Sequence, residues 1–96
     1  MIFVLSLGIG ITSHADEWKR DTNGWWYAYS NGTYPTAQWL LINGRWYYFE
    51  DDGYMATNRW KNNYYLGKDG AMLVSTTTPD GYKVDGSGRR INAQYR

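Results

Sequence analysis

At 96 residues the chain allows one small domain, and the absence of cysteine excludes disulfide staples and thiolate metal sites. Ten Lys and Arg against nine Asp and Glu leave a net charge of +1, which gives no electrostatic basis for nucleic acid or an anionic membrane as partner. Aromatic residues make up 19%, with 6 Trp and 10 Tyr against 2 Phe, and such amphipathic rings suit a half-wet surface better than a dry core.

The chain opens with MIFVLSLGIGITSHA, an uncharged, mainly apolar run from Ile2 to Ile11 followed by Ser13-His14-Ala15. The length of the run and its small-x-small ending predict a secretory signal over residues 1–15, short of its basic start because no Lys or Arg precedes Lys19. It is too short to span a bilayer comfortably. Residues 16–96 are then the mature module, with no membrane insertion after signal removal. His14 is the only histidine, so no Ser-His or Cys-His arrangement survives in that module.

From Trp18 onward the sequence repeats. Trp25 stands seven residues before Gly32, Trp46 seven before Gly53, Asn63 seven before Gly70 and Gly81 seven before Gly88. The units read WWYAYSNG, WYYFEDDG, NYYLGKDG and GYKVDGSG. A second register agrees, because Trp18 is seven before Trp25 and Trp39 seven before Trp46. Each unit predicts a strand, then a tight turn at Asn31-Gly32, Asp52-Gly53 or Asp69-Gly70, then a short return strand such as Tyr54 to Thr57 or Ala71 to Val74. Glycine interrupts every candidate helical window after Ala15, and Ser75 to Gly81 reads as a linker. One hairpin is marginal in water, so the expected fold is all-β: a solenoid, or superhelix, of about four stacked β-hairpins.

Strand alternation puts Trp46 and Tyr48 on one face and Tyr47 and Phe49 on the other. One face can pack inward while the other joins Trp39 or Trp60 to wall a groove. Such a groove suits a quaternary ammonium, which donates no hydrogen bond and is held by ring quadrupoles at ~0.5–2 kcal/mol per ring. An aromatic ladder that only packs is the alternative reading of the same rings. Glu50, Asp51 and Asp52 are consecutive and read as solvated turn charge, since glycosidase carboxylates must face each other across a cleft. Calcium-loop and phosphate-loop spacings are absent.

These residues carry a resemblance. GRWYYFEDDGYMATNRW, Gly44 to Trp60, resembles the choline-binding (cell-wall-binding) repeat of Gram-positive surface proteins, and the likeness extends from Trp18 to Arg90. It implies a left-handed superhelix of hairpins with choline held between consecutive repeats. One implied cage uses Trp39 and Trp46, closed by Tyr65 or Tyr64 and lined by Met55. A preceding one uses Trp18 and Trp25, closed by Tyr48 or Tyr47. Alternation with the Trp favours Tyr48 and Tyr65. The sequence departs from the family pattern at Gln38 and Arg59, which replace glycine, and at Asn63, which replaces Trp. A cage starting at Trp60 therefore lacks one wall, and the last unit, which keeps only Tyr82, reads as a cap.

The implied function is a secreted, non-catalytic module with choline as ligand and neither metal nor cofactor. It would attach non-covalently to the cell wall through phosphorylcholine of teichoic or lipoteichoic acid. The alternatives are a glucan or other carbohydrate-binding repeat, and the wall-anchoring tail of a cell-wall hydrolase.

Overall fold

Residues 15–91 are described in the computed structural model, and every regular element among them is a β-strand. The first hairpin pairs β1 (Glu17–Asp21) with β2 (Gly24–Ala28), and the second pairs β3 (Gln38–Ile42) with β4 (Arg45–Phe49). The third joins β5 (Arg59–Lys61) to β6 (Tyr64–Leu66), and the fourth joins β7 (Thr76–Thr77) to β8 (Lys83–Val84). Each pair is antiparallel and forms its own two-stranded sheet, so no ladder runs from one hairpin to the next. This is the all-β array of stacked hairpins that the repeat spacing predicts. The apolar segment read as a signal lies outside the described residues, apart from Ala15.

The strands pair differently from the expectation. β4 was expected to form its hairpin with the return segment Tyr54 to Thr57; its full ladder instead runs backward onto β3, with Trp39 opposite Tyr48 and Leu41 opposite Trp46. The connection is Asn43-Gly44, whose φ angles of 51° and 80° are both positive, as a two-residue type I′ turn requires. The glycine-ended turns also form, closed by Gly53 N–H donating to Glu50 (2.9 Å) and Gly70 N–H donating to Gly67 (3.0 Å). They lead only to single bridges, Phe49 with Met55 and Leu66 with Met72. The return segment cannot extend its ladder because it is drawn onto the preceding hairpin. Met55 N–H donates to the Trp25 carbonyl and Met72 N–H to the Trp46 carbonyl, both at 2.8 Å.

These crossings align one apolar side chain per hairpin along the interior. Ala28, Phe49, Leu66 and Val84 occupy the same place in each repeat, and all are buried. Tyr48, Ala56 and Leu66 form the central cluster, with Trp39 and Met72 against it. So thin a spine leaves each member important: Leu66→Ala is expected to cost about 2–5 kcal/mol.

Three residues enter strands in the left-handed region: Ala37 (φ 51°), Asn58 (φ 53°) and Ser75 (φ 49°). Their N–H groups donate to the carbonyls of Glu50, Gly67 and Asp85. Ala37 has no side-chain polar group to compensate, and this conformation costs an L-residue ~1–2 kcal/mol. Glycine at that place removes the strain but adds ~0.4–1 kcal/mol of unfolded-chain entropy. Ala37→Gly should therefore stabilise the protein by about 0.5–1 kcal/mol, read as a raised denaturation midpoint at unchanged m-value; a lowered midpoint would contradict this account.

Acid should loosen the turn at Asp85. The Asp85 carboxyl is held below its ordinary value of 3.8, chiefly by the Ser87 hydroxyl and N–H, with Arg89 N–H adding to them. A lowered folded pKa means the contribution is present above 3.8 and is lost as pH falls below it. Protection of the Ser87 and Arg89 amides against exchange should fall as pH drops below 3.8, while Asp85→Asn should abolish that pH step.

Candidate functional site

The stitch from Met55 to Trp25 brings β4 across the open side of the first hairpin. Tyr47 then meets Trp18 with ring centroids 4.9 Å apart and planes at 69°. Trp18 in turn stands edge-on to Trp25, at 6.4 Å and 87°. These near-perpendicular rings wall a cavity of about 400 Å³, lined by Trp18, Trp25, Tyr47 and Met55, with Thr57, Lys68 and Asp69 completing the lining.

One repeat later the arrangement recurs. Trp39 meets Tyr64 at 5.7 Å and 77°. With Trp46, Met72 and Ser87 they line a cavity of about 340 Å³. Trp25 and Trp46 are 41% and 42% exposed, so their rings are accessible at the cavities rather than committed to the interior. Volumes of this size are at the small end of ligand pockets.

Each methionine is held by a glycine of the following turn. A Cβ on Gly70 (φ 86°) would overlap the Met55 sulfur, and one on Gly88 (φ 89°) would fall 2.6 Å from Met72 Cε. The turn glycines thus serve both the backbone conformation and the cavity lining.

The tyrosines that line the two cavities are Tyr47 and Tyr64, whereas alternation with the Trp favours Tyr48 and Tyr65. The difference follows from alternation itself. Trp46 and Tyr48 leave β4 on the same face, toward the following hairpin. A ring that closes the preceding cavity must leave on the opposite face, and that ring is Tyr47. Tyr48 and Tyr65 are buried in the interior instead. Lys61 Nζ lies 4.4 Å from the Tyr48 ring centre, so that ring already faces a cation of the chain itself.

Met55 also lies one cavity earlier than expected. It lines the Trp18–Trp25 pocket, and Met72 takes the corresponding place beside Trp39 and Trp46. Met72 was legible, since GAM repeats GYM one unit on. Trp18 and Trp25 line the first cavity, and Trp39 and Trp46 line the second. Trp60 joins neither pocket: its indole N–H donates to Asp80 (2.8 Å), and its ring meets Tyr82 at 5.8 Å. The acidic run behaves as a turn. Glu50 pairs with Arg59 at 3.0 Å, and Asp52 accepts the Tyr54 N–H.

Two cavities one repeat apart, each a corner of three aromatic rings and a thioether, define a class of site that suits small, bulky, weakly hydrogen-bonding groups. Comparison with known proteins gives that class a family. Residues 54–89 match the choline-binding repeat and residues 38–55 the cell wall binding repeat. The structure is similar to the choline-binding domain of Spr1274 from Streptococcus pneumoniae, with a TM-score of 0.67, 32% identity, and coverage of 78% of this chain and 93% of that one. It is also similar to the endolysin of phage Cp-1 solved with choline, at a TM-score of 0.74 and 34% identity over 95% of this chain and 29% of that one. In sequence it is 47% identical over 45 residues to the lysin of Pneumococcus phage Dp-1, which is 45% of this chain and 15% of the lysin. The chain belongs to the choline-binding repeat family. It spans only a small part of the phage lysins it matches.

Gly70→Ala tests the coupling between turn and cavity. Both the strained φ and the displaced Met55 should lower stability by about 1–3 kcal/mol. The indole signal of Trp25 should shift more than that of Trp46, because Met55 lines only the first cavity.

Proposed function

We propose that the chain is a non-catalytic module that binds the choline of wall teichoic or lipoteichoic acid through two aromatic cages, Trp18–Trp25–Tyr47–Met55 and Trp39–Trp46–Tyr64–Met72. The observation that carries this reading is the recurrence of the same three-ring-and-methionine corner in consecutive repeats, at matched positions. A trimethylammonium group has no hydrogen to donate, so ring faces and a polarizable sulfur satisfy it where polar groups would be wasted.

The second cavity supports choline over a sugar. Apart from the Tyr64 hydroxyl and the indole N–H groups of its walls, its only polar side chain is Ser87, whereas a carbohydrate needs several fixed hydrogen-bond partners. At the first cavity Lys68 supplies a positive charge for the phosphate of phosphorylcholine. One cage binds weakly, and retention on the wall comes from engaging two cages on one polymer. The module acts at the cell surface, attached without a covalent bond. As part of a longer wall hydrolase it would supply the same anchorage.

Titration with choline should quench tryptophan fluorescence and release the protein from an amine resin that mimics choline; a protein that free choline neither quenches nor elutes does not have this function. Trp46→Ala should weaken binding at the second cage by at least tenfold, and Tyr64→Ala by a similar factor, whereas Tyr65→Phe should leave it unchanged. Equal losses in all three would indicate general unfolding. Lys68→Ala should lower affinity for phosphorylcholine about two- to fivefold, the range of an exposed ion pair, without changing that for choline. Purified walls incubated with the chain should release no fragments.

A further inference from the structure

The third gap between hairpins repeats the geometry of the other two, with a different occupant. Gly88-Arg89-Arg90 follows β8 as Gly53-Tyr54-Met55 follows β4 and Gly70-Ala71-Met72 follows β6. Val84 bridges Arg90 as Phe49 bridges Met55 and Leu66 bridges Met72. Arg90 N–H donates to the Asn63 carbonyl at 2.8 Å, the same stitch that Met55 makes to Trp25 and Met72 to Trp46.

Trp60 and Tyr82 form the corner, 5.8 Å apart at 83°, matching the Trp39–Tyr64 corner at 5.7 Å and 77°. Arginine thus stands at the methionine position and asparagine at the second Trp position. The guanidinium carbon lies 5.6 Å from the Trp60 ring centre and 5.0 Å from that of Tyr82. Both distances are within cation–π range. Asp80 takes the Trp60 indole N–H and lies close enough to Arg90 to be influenced by its charge.

We propose that Arg90 is a tethered cation occupying the third cage, in the place a quaternary ammonium takes in the first two. The filled slot excludes free choline and fastens the last hairpin without ligand. The missing wall at Asn63 gives the slender guanidinium side chain its route between the two rings, where a second indole would stand in the cages at Trp25 and Trp46. That the first two cages take choline rests on the function proposed above; the occupancy of the third by Arg90 does not.

The test uses the whole chain with each indole N–H assigned by NMR. Without ligand, the Arg90 side-chain protons should show upfield ring-current shifts that shrink in Tyr82→Ala. Unshifted Arg90 protons in the wild type would overturn the proposal whatever choline does. On adding choline chloride, the signals of Trp18, Trp25, Trp39 and Trp46 should move and that of Trp60 should not, with two cholines bound per chain. Trp60 moving in step with the others would overturn the proposal.

The double variant Arg90→Met with Asn63→Trp should bind three cholines and bring Trp60 into the responding set, and Arg90→Lys should keep the count at two. A double variant that retains the wild-type amide pattern of the first two hairpins yet still binds two would overturn the idea that Arg90 is what fills the slot. If choline moves no indole at all, the choline reading fails, while the Arg90 shifts still decide the tethered cation.

Discussion

One backbone hydrogen bond per repeat holds this molecule in its shape. The four hairpins share no sheet, so nothing in their ladders fixes one relative to the next. The donation from Met55 to Trp25, repeated from Met72 to Trp46 and from Arg90 to Asn63, supplies that relation. It terminates the return strand after a single bridge and turns the chain across the preceding hairpin. It also delivers a tyrosine from the next strand to face the preceding Trp pair. Without the stitch the same sequence would be four marginal hairpins with their indoles in water. With it, each gap between hairpins becomes a corner of perpendicular rings.

The aromatics therefore divide by face. Phe49 and Leu66 are fully buried and hold the spine, and Tyr48 and Tyr65 pack beside them. Trp46 faces forward and Tyr47 faces back, so β4 contributes to two cavities at once. The family resemblance implies the pairs Trp18–Trp25 and Trp39–Trp46, and the same pairs line the two cavities. It leaves open which Tyr of each pair closes a corner; pairing with the Trp favours Tyr48 and Tyr65, whereas Tyr47 and Tyr64 line the cavities. A shared face is not a shared site. Two cavities on opposite sides of one strand demand opposite faces.

The repeat period and the all-β character were legible because the seven-residue interval to a turn glycine recurs four times and glycine breaks every helical window. The hairpin register was not, because two turn signals compete within each unit. Asn43-Gly44 and Asp52-Gly53 both accept positive φ, and sequence alone does not say which closes the longer ladder. The five-residue partner β3 decides it by offering a complete ladder where the return segment offers one bridge. Met55 was placed one cavity late for the same reason: its position follows from the stitch, which is a contact between repeats and leaves no mark on the sequence. Arg90 was invisible as a site residue because an arginine near a chain end reads as surface charge. Only its place opposite Val84 reveals that it stands where methionine stands elsewhere.

Each cage is built from two hairpins, so anything bound there joins them. Trp18 and Trp25 come from one hairpin, Tyr47 from the next and Met55 from the turn beyond it. A ligand in the corner adds its contacts to a junction already made by one backbone hydrogen bond, the Trp18–Tyr47 ring contact, the Tyr54 hydroxyl donating to Asp21 and a thin apolar spine. Binding and folding are therefore linked through the same interface, and a ligand that prefers the assembled corner must stabilise the stack in proportion to its occupancy. The part-exposed rings of Trp25, with Arg20 lying 5.7 Å from its centre, and of Trp46 fit this division. Burying them in the protein would strengthen the spine but would leave no place for a ligand to act as the joining element. The last junction, with Arg90 between Trp60 and Tyr82, makes the same kind of cross-link from within the chain.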